Sequence, residues 1–241
     1  MRFLLFRSLL LFGMLLVLAP WQAEAEQIEI YRYQQHTGSQ VDYFDWQLTR
    51  GSSLHLKTRQ PLELTETRFN SDLSTLRWKI QNVDSQTDLT VDRAGNTLVM
   101  QGVFAGEIIN KEVHIDPAPW YQALSVSLRQ FTDHDKETIH FWSIRPDTLD
   151  VHRLQVTRQK NTLIDIGNDS VSTIQLKIQP TGWRAPFWSA NYWLRENDGV
   201  FVRYLGRSGP PGAPETSILI TDSGSTGPVK PVKKSCEFQT Q

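Results

Sequence analysis

Leu76-Arg77-Trp78-Lys79-Ile80, followed by Leu89-Thr90-Val91, decides the fold of this 241-residue chain. Apolar and polar side chains alternate through it, and a strand is the regular element whose successive side chains point to opposite faces. The same pattern recurs on both sides. Phe44, Trp46 and Leu48 alternate with Asp45 and Gln47, Leu54 and Leu56 flank His55, and Leu62 and Leu64 flank Glu63. Further on, Ile139 and Phe141 flank His140, and Leu154 and Val156 flank Gln155. Ile174, Leu176 and Ile178 alternate with Gln175 and Lys177, and Val200, Val202 and Tyr204 alternate with Phe201 and Arg203. One dry face per run is the signature of antiparallel strands.

Ala94-Gly95-Asn96 and Asn197-Asp198-Gly199 sit between such runs, where Gly and Asn accept the positive φ of tight hairpins. Hairpins join sequence neighbours, so the pattern predicts an up-and-down meander. Roughly ten strands would curl to protect their edges. The expected fold is mainly β: an antiparallel meander forming an incomplete or curled β-barrel, with one amphipathic helix packed on it.

That helix is expected at about 117–131. Asp116 can cap, Pro117 suits the first helical position, and Trp120, Leu124, Leu128 and Phe131 then share one face. The concave side of the curled sheet is the natural surface for this stripe, the alternative being the outside or an open end.

The first 25 residues carry a second message. Arg2 and Arg7 precede a leucine-rich run from Ser8 to Ala19, and Ala23-Glu24-Ala25 supplies small residues where a signal peptidase reads. The apolar run is shorter than the roughly 20 residues of a spanning helix. The expectation is a signal peptide at 1–25, a single β-rich domain at 26–221 and a flexible tail at 222–241, with no transmembrane segment once the leader is cleaved. Export to the periplasm follows, with the extracellular space as the alternative.

Losing Arg2, Arg7 and Glu24 takes 25 basic residues to 23 and 26 acidic ones to 25, a formal charge of −2. That balance gives no electrostatic attraction for nucleic acid. Cys236 is the only cysteine, so no disulfide forms within the chain. Asp133-His134-Asp135, with His140, His114 and Asp116, is the one grouping suggesting a base or a metal ligand set. It lacks metal-ligand spacing and follows the helix where a polar turn is expected. No Gly-x-Ser-x-Gly elbow or phosphate-binding Gly loop occurs. The sequence therefore predicts no catalytic residues, metal ligands or cofactor.

The aromatic residues are more informative, with eight Trp in the chain. Trp46, Trp78, Trp120 and Trp142, together with Leu124, Leu128 and Phe131, are the candidate ligand-binding residues. A cavity facing them would suit a lipid or other hydrophobic small molecule. The plainer reading is that they fill a core short of aliphatics.

The Asp116-Pro117-Ala118-Pro119-Trp120 segment and the late Phe187-Trp188-Ser189-Ala190-Asn191-Tyr192-Trp193 to Val200-Phe201-Val202-Arg203-Tyr204 hairpin carry a resemblance. With the exported meander, they resemble uncharacterised periplasmic β-proteins known as a domain of unknown function, whose plan is similar to the lipoprotein carriers LolA and LolB. The resemblance implies an incomplete antiparallel barrel with a helix at its concave face, in a Gram-negative envelope. The function expected is non-catalytic binding of a hydrophobic ligand. The alternatives are an envelope assembly factor with a filled core and a protein partner, or a hydrolase using the Asp133–Asp135 region.

Overall fold

In the computed structural model the described residues are 26–182, 185, 188–207, 214–221 and 225–228. The expected leader, Trp183, Phe187 and Cys236 lie outside them. The first eight strands are β1 (Gln27–Thr37), β2 (Gln40–Arg50), β3 (Leu54–Arg59), β4 (Glu63–Phe69), β5 (Thr75–Asn82), β6 (Thr87–Ala94), β7 (Thr97–Phe104) and β8 (Glu107–His114). After a crossover come β9 (Thr138–Ile144), β10 (Val151–Ile166), β11 (Asp169–Pro180), β12 (Ala190–Arg195), β13 (Phe201–Arg207), β14 (Glu215–Ile220) and β15 (Ser225–Pro228).

All pair antiparallel in one sheet, in the order β8-β7-β6-β5-β4-β3-β2-β1-β14-β13-β12-β11-β10-β9, with β15 added to the start of β1. The mainly β, incompletely closed barrel is as expected. The strand number exceeds ten because polar strands such as β8 show little hydrophobic alternation. The meander is also cut in two at the crossover, and β1 pairs β14 to join the halves. Ser225–Pro228, within the stretch expected as a tail, pair with Gln27–Ile30, satisfying backbone groups on both strands.

The sheet is a spiral whose two ends overlap. Along β9, Ile139 and Phe141 pack into one core cluster, and Trp142 and Ile144 into another. The first cluster fills the barrel interior with side chains from β1–β4 and β10–β14. The second lies between the outer face of β9 and the inner faces of β5–β7, with Trp78, Ile80, Leu89, Val91, Leu98 and Met100. One end of the sheet thus laps over the other. A strand buried on both faces loses strict alternation, as Phe141-Trp142 does.

Two bulges re-aim side chains. Phe69 pairs with Thr75 while Arg68 pairs with Arg77, so Leu76 is the extra residue and stands 44% exposed. In β13, Leu194 opposes Phe201 and Trp193 opposes Arg203, leaving Val202 extra. Phe201 and Tyr204 therefore share the inner face, and Val200 and Val202, expected to alternate with Phe201, are buried in the same cluster as it. Leu62 lies in the turn before β4 and is half-exposed.

Gly102 is required where β7 meets β6. Its φ is +133°, and an added Cβ would overlap the Asp88 carbonyl oxygen. Gly102→Ala is expected to cost more than about 1 kcal/mol, read as a lower urea midpoint.

The expected helix is shorter than 117–131. It comprises α1 (Leu124–Ser127) and a 3-10 turn over Leu128–Thr132. The backbone before it is committed elsewhere. The Trp142 amide donates to the Pro119 carbonyl, the Tyr121 amide to the Trp142 carbonyl, and the Thr75 amide to the Trp120 carbonyl, at 2.7–2.8 Å. The crossover therefore bridges β9 and β5 in place of a first helical turn. Asp116 accepts the Ala118 amide at 2.9 Å and Trp142 Nε1 at 2.8 Å, so it caps a local turn. No described helix is long and apolar enough to cross a membrane.

Candidate functional site

Residues 124–132 plug one end of the barrel's concave face, with Val126, Leu128 and Phe131 buried in the interior cluster. Trp46 Nε1 donates to Ser125 Oγ at 3.0 Å, and Ser127 Oγ donates to the Leu73 carbonyl at 2.8 Å. The Phe131 carbonyl accepts from Arg158 Nη2, which also reaches the Asp133 carbonyl at 3.1 Å. The strongest tie is ionic. Both terminal nitrogens of Arg129 donate to the Glu29 carboxylate, at 3.0 and 2.8 Å, and Arg50 Nε donates to it at 2.9 Å.

This ion pair is nearly dry, with 7% of the Arg129 side chain and 13% of that of Glu29 exposed. The guanidinium carbon lies 5.2 Å from the Trp46 ring centroid, a cation–π geometry. Burial alone would raise the Glu29 carboxyl, but hydrogen bonds and charge from Arg129, and then Arg50, hold it below its usual value.

The candidate residues do not converge on one pocket. Trp46, Leu128 and Phe131 are sealed in the interior cluster, and Leu124 packs against it partly buried. Trp78 and Trp120 are buried in the lap between the sheet ends, with Trp142 partly buried beside them. Trp120 Nε1 donates to Gln122 Oε1 at 3.1 Å, and Gln122 Nε2 donates to the Ile144 carbonyl at 2.9 Å. Sheet curvature separates the two groups: Trp46 and Trp78 share a face of a continuous sheet, but that face has curled into the lap by β5.

At the end away from the plug the inner face carries a different set. Phe44, Tyr33, Phe201, Tyr192 and Tyr204 form a chain of ring contacts with centroids 5.1–5.3 Å apart. Phe44, Leu154, Trp188, Tyr192, Tyr204 and Ile218 pack on the interior cluster but remain only partly buried. Burial pushes the Tyr204 phenol up to about 12 and raises those of Tyr33 and Tyr192. All three phenols therefore stay neutral at ordinary pH, and the buried Tyr33 hydroxyl donates to the Phe201 carbonyl at 2.8 Å. Sequence reasoning did not place this set at the site. Its signal was available, since Phe44 alternates with Trp46, but the β13 bulge hid the partnership of Phe201 with Tyr204.

Asp133, His134 and Asp135 occupy an exposed turn after the plug, and the Asp135 amide donates to Asp133 Oδ1 at 3.2 Å. His140 is exposed on β9, and His114, on β8, has Nδ1 3.0 Å from Thr97 Oγ1. The fold keeps these histidines apart from the plugged interior. Among the described residues no group of three or more His, Cys, Asp or Glu is placed to hold a metal ion.

No protein-family model matches the chain, and neither does any curated protein. Its fold is nevertheless similar to a solved structure, the β-barrel-like protein of the domain of unknown function DUF1849 from Brucella abortus. The two share 8% identity at a TM-score of 0.54, over 84% of this chain and 98% of that one. The likeness establishes a β-barrel-like architecture shared with an uncharacterised β-protein.

Proposed function

We propose that this is a non-catalytic binding protein of the bacterial envelope, exported to the periplasm by a cleaved leader, which takes a lipid or other hydrophobic ligand at the unplugged end of its concave face. The observation that carries this reading is the contrast between the two ends. Trp46, Leu128 and Phe131 are 0–1% exposed at the plug, whereas at the other end Phe44, Tyr204, Ile218 and Leu154 are left partly open around the buried Tyr33 and Phe201. An apolar lining with a few neutral hydroxyls suits an uncharged chain with a small polar end. The ordering of a curled sheet around a helix, which resembles the carriers LolA and LolB, is in keeping with that ligand class.

Titration with the apolar fluorophore N-phenyl-1-naphthylamine tests it. Saturable enhancement is expected, weakened about tenfold or more by Tyr204→Asp, which places a charge in the lining, and unchanged by His134→Ala. Non-saturable enhancement, or an unaltered titration in Tyr204→Asp, contradicts the reading. The sealed plug end supports the second reading, an assembly factor with a filled core, and that factor would show no saturable binding.

A further inference from the structure

Of the two ends of the sheet, one is covered and one is bare among the described residues. β9 is bonded on its outer side by Pro119, Tyr121 and Gln122 of the crossover. β8 has no such cover among the described residues. Ala105 and Gly106, with φ of 50° and 81°, make the two-residue turn between β7 and β8, and Phe104 pairs with Glu107 across it. The closing pair of such a turn is hydrogen-bonded, and bonded and non-bonded pairs then alternate. Glu107, Ile109, Lys111 and Val113 therefore bond to β7, while the amides and carbonyls of Ile108, Asn110 and Glu112 point away from the sheet. Ile108 stands 88% exposed.

The charges on this edge are arranged in a particular way. Glu107 and Lys111 lie on one face of β8, opposite Phe104 and Met100, and neither has an ion-pair partner among the described residues. They are about 13 Å apart along the strand, too far to meet each other. A twofold axis through Ile109 would place each opposite the other in a second copy. Glu107 would face Lys111 of the second copy twice over, and Ile109 would face its own equivalent. These are non-hydrogen-bonded positions, where side chains of an antiparallel pair come closest. Neighbouring registers fail: an axis on Lys111 sets lysine against lysine, and an axis on Asn110 sets Glu107 against Val113 and Lys111 against Ile109. Against a purely apolar strand the same charges would be left unpaired and partly desolvated, which disfavours that pairing.

We propose that β8 is a homotypic docking edge, through which two copies of this chain join their sheets antiparallel about Ile109. The edge supplies four main-chain hydrogen bonds between Ile108 and Asn110 of the two copies, and the two Glu107–Lys111 pairs fix the register. The surface is independent of the ligand-binding proposal, since β8 lies at the far side of the lap from the plugged interior.

Sedimentation velocity on the protein expressed from its complete coding sequence, across a micromolar range, tests the proposal. The expected result is a monomer–dimer equilibrium weakened about tenfold or more by Glu107→Lys or Lys111→Glu alone, and restored in the double reversal. Asn110→Pro should abolish the dimer while leaving circular dichroism unchanged, because its amide points outward and proline is tolerated at such edge positions. A protein monomeric throughout overturns the proposal. So does a dimer that survives Asn110→Pro, or a double reversal no better than either single one.

Discussion

Arg129→Ala is expected to destabilise the protein by about 3–5 kcal/mol, the range for removing one partner of a buried ion pair. For a chain of this size that is a fall in melting temperature of about 6–20 °C, readable by circular dichroism. The substitution leaves the Glu29 carboxylate in a site with 13% of its side chain exposed, with Arg50 as its remaining ion-pair partner. It also removes the guanidinium stacked over Trp46, so the plug loses its ionic and its aromatic tie together. Glu29→Gln, which keeps the shape and removes the charge, strands the arginine instead and should cost a comparable amount.

The pair also carries a pH dependence of defined sign. Glu29 titrates below its usual 4.5 in the folded protein. Its contribution is therefore fully present above pH 4.5 and is lost as pH falls through the lower folded value. The urea midpoint should fall across that acid window. In Glu29→Gln the share of the fall due to this residue should be absent.

Trp120→Ala is the second large effect, at about 3–5 kcal/mol. Trp120 is fully buried in the lap, where it packs with Trp78, Ile80 and Leu98 from one end of the sheet and Ile144 from the other. Its removal opens a cavity at the point where the two ends meet, and leaves Gln122 without one of its donors. Hydrogen exchange should show protection lost first in β5–β8 and β9, with β1 and β14 retaining theirs longer. Uniform loss across all strands would mean that the lap is not a separate packing unit.

The antiparallel strands were legible because a one-sided sheet writes itself as alternation, and Trp46, Leu48, Leu56 and Ile178 lie buried in the interior as that pattern requires. Three features were not. Trp120, Leu124, Leu128 and Phe131 match helical spacing, yet the backbone at Pro119–Tyr121 bonds to β9 and β5, so tertiary pairing overrides the local pattern. β8 has Ile108 outward and Lys111 inward, an edge strand with little alternation to read. The bulges at Leu76 and Val202 shift a face by one residue, which sequence spacing does not reveal. For the site, the list of tryptophans identified large buried side chains but not which of two cores each one fills. The partly open Phe44–Tyr204 lining depends on sheet curvature, a property of the whole fold.

Native mass spectrometry of the protein purified from bacterial periplasm, followed by organic extraction of the same sample, tests the binding proposal most directly. The account predicts a reproducible added mass that leaves with the organic phase and is reduced in Tyr204→Asp. A clean unliganded mass that stays unchanged after incubation with phospholipid and fatty acid would contradict it, and would identify the interior as a filled core.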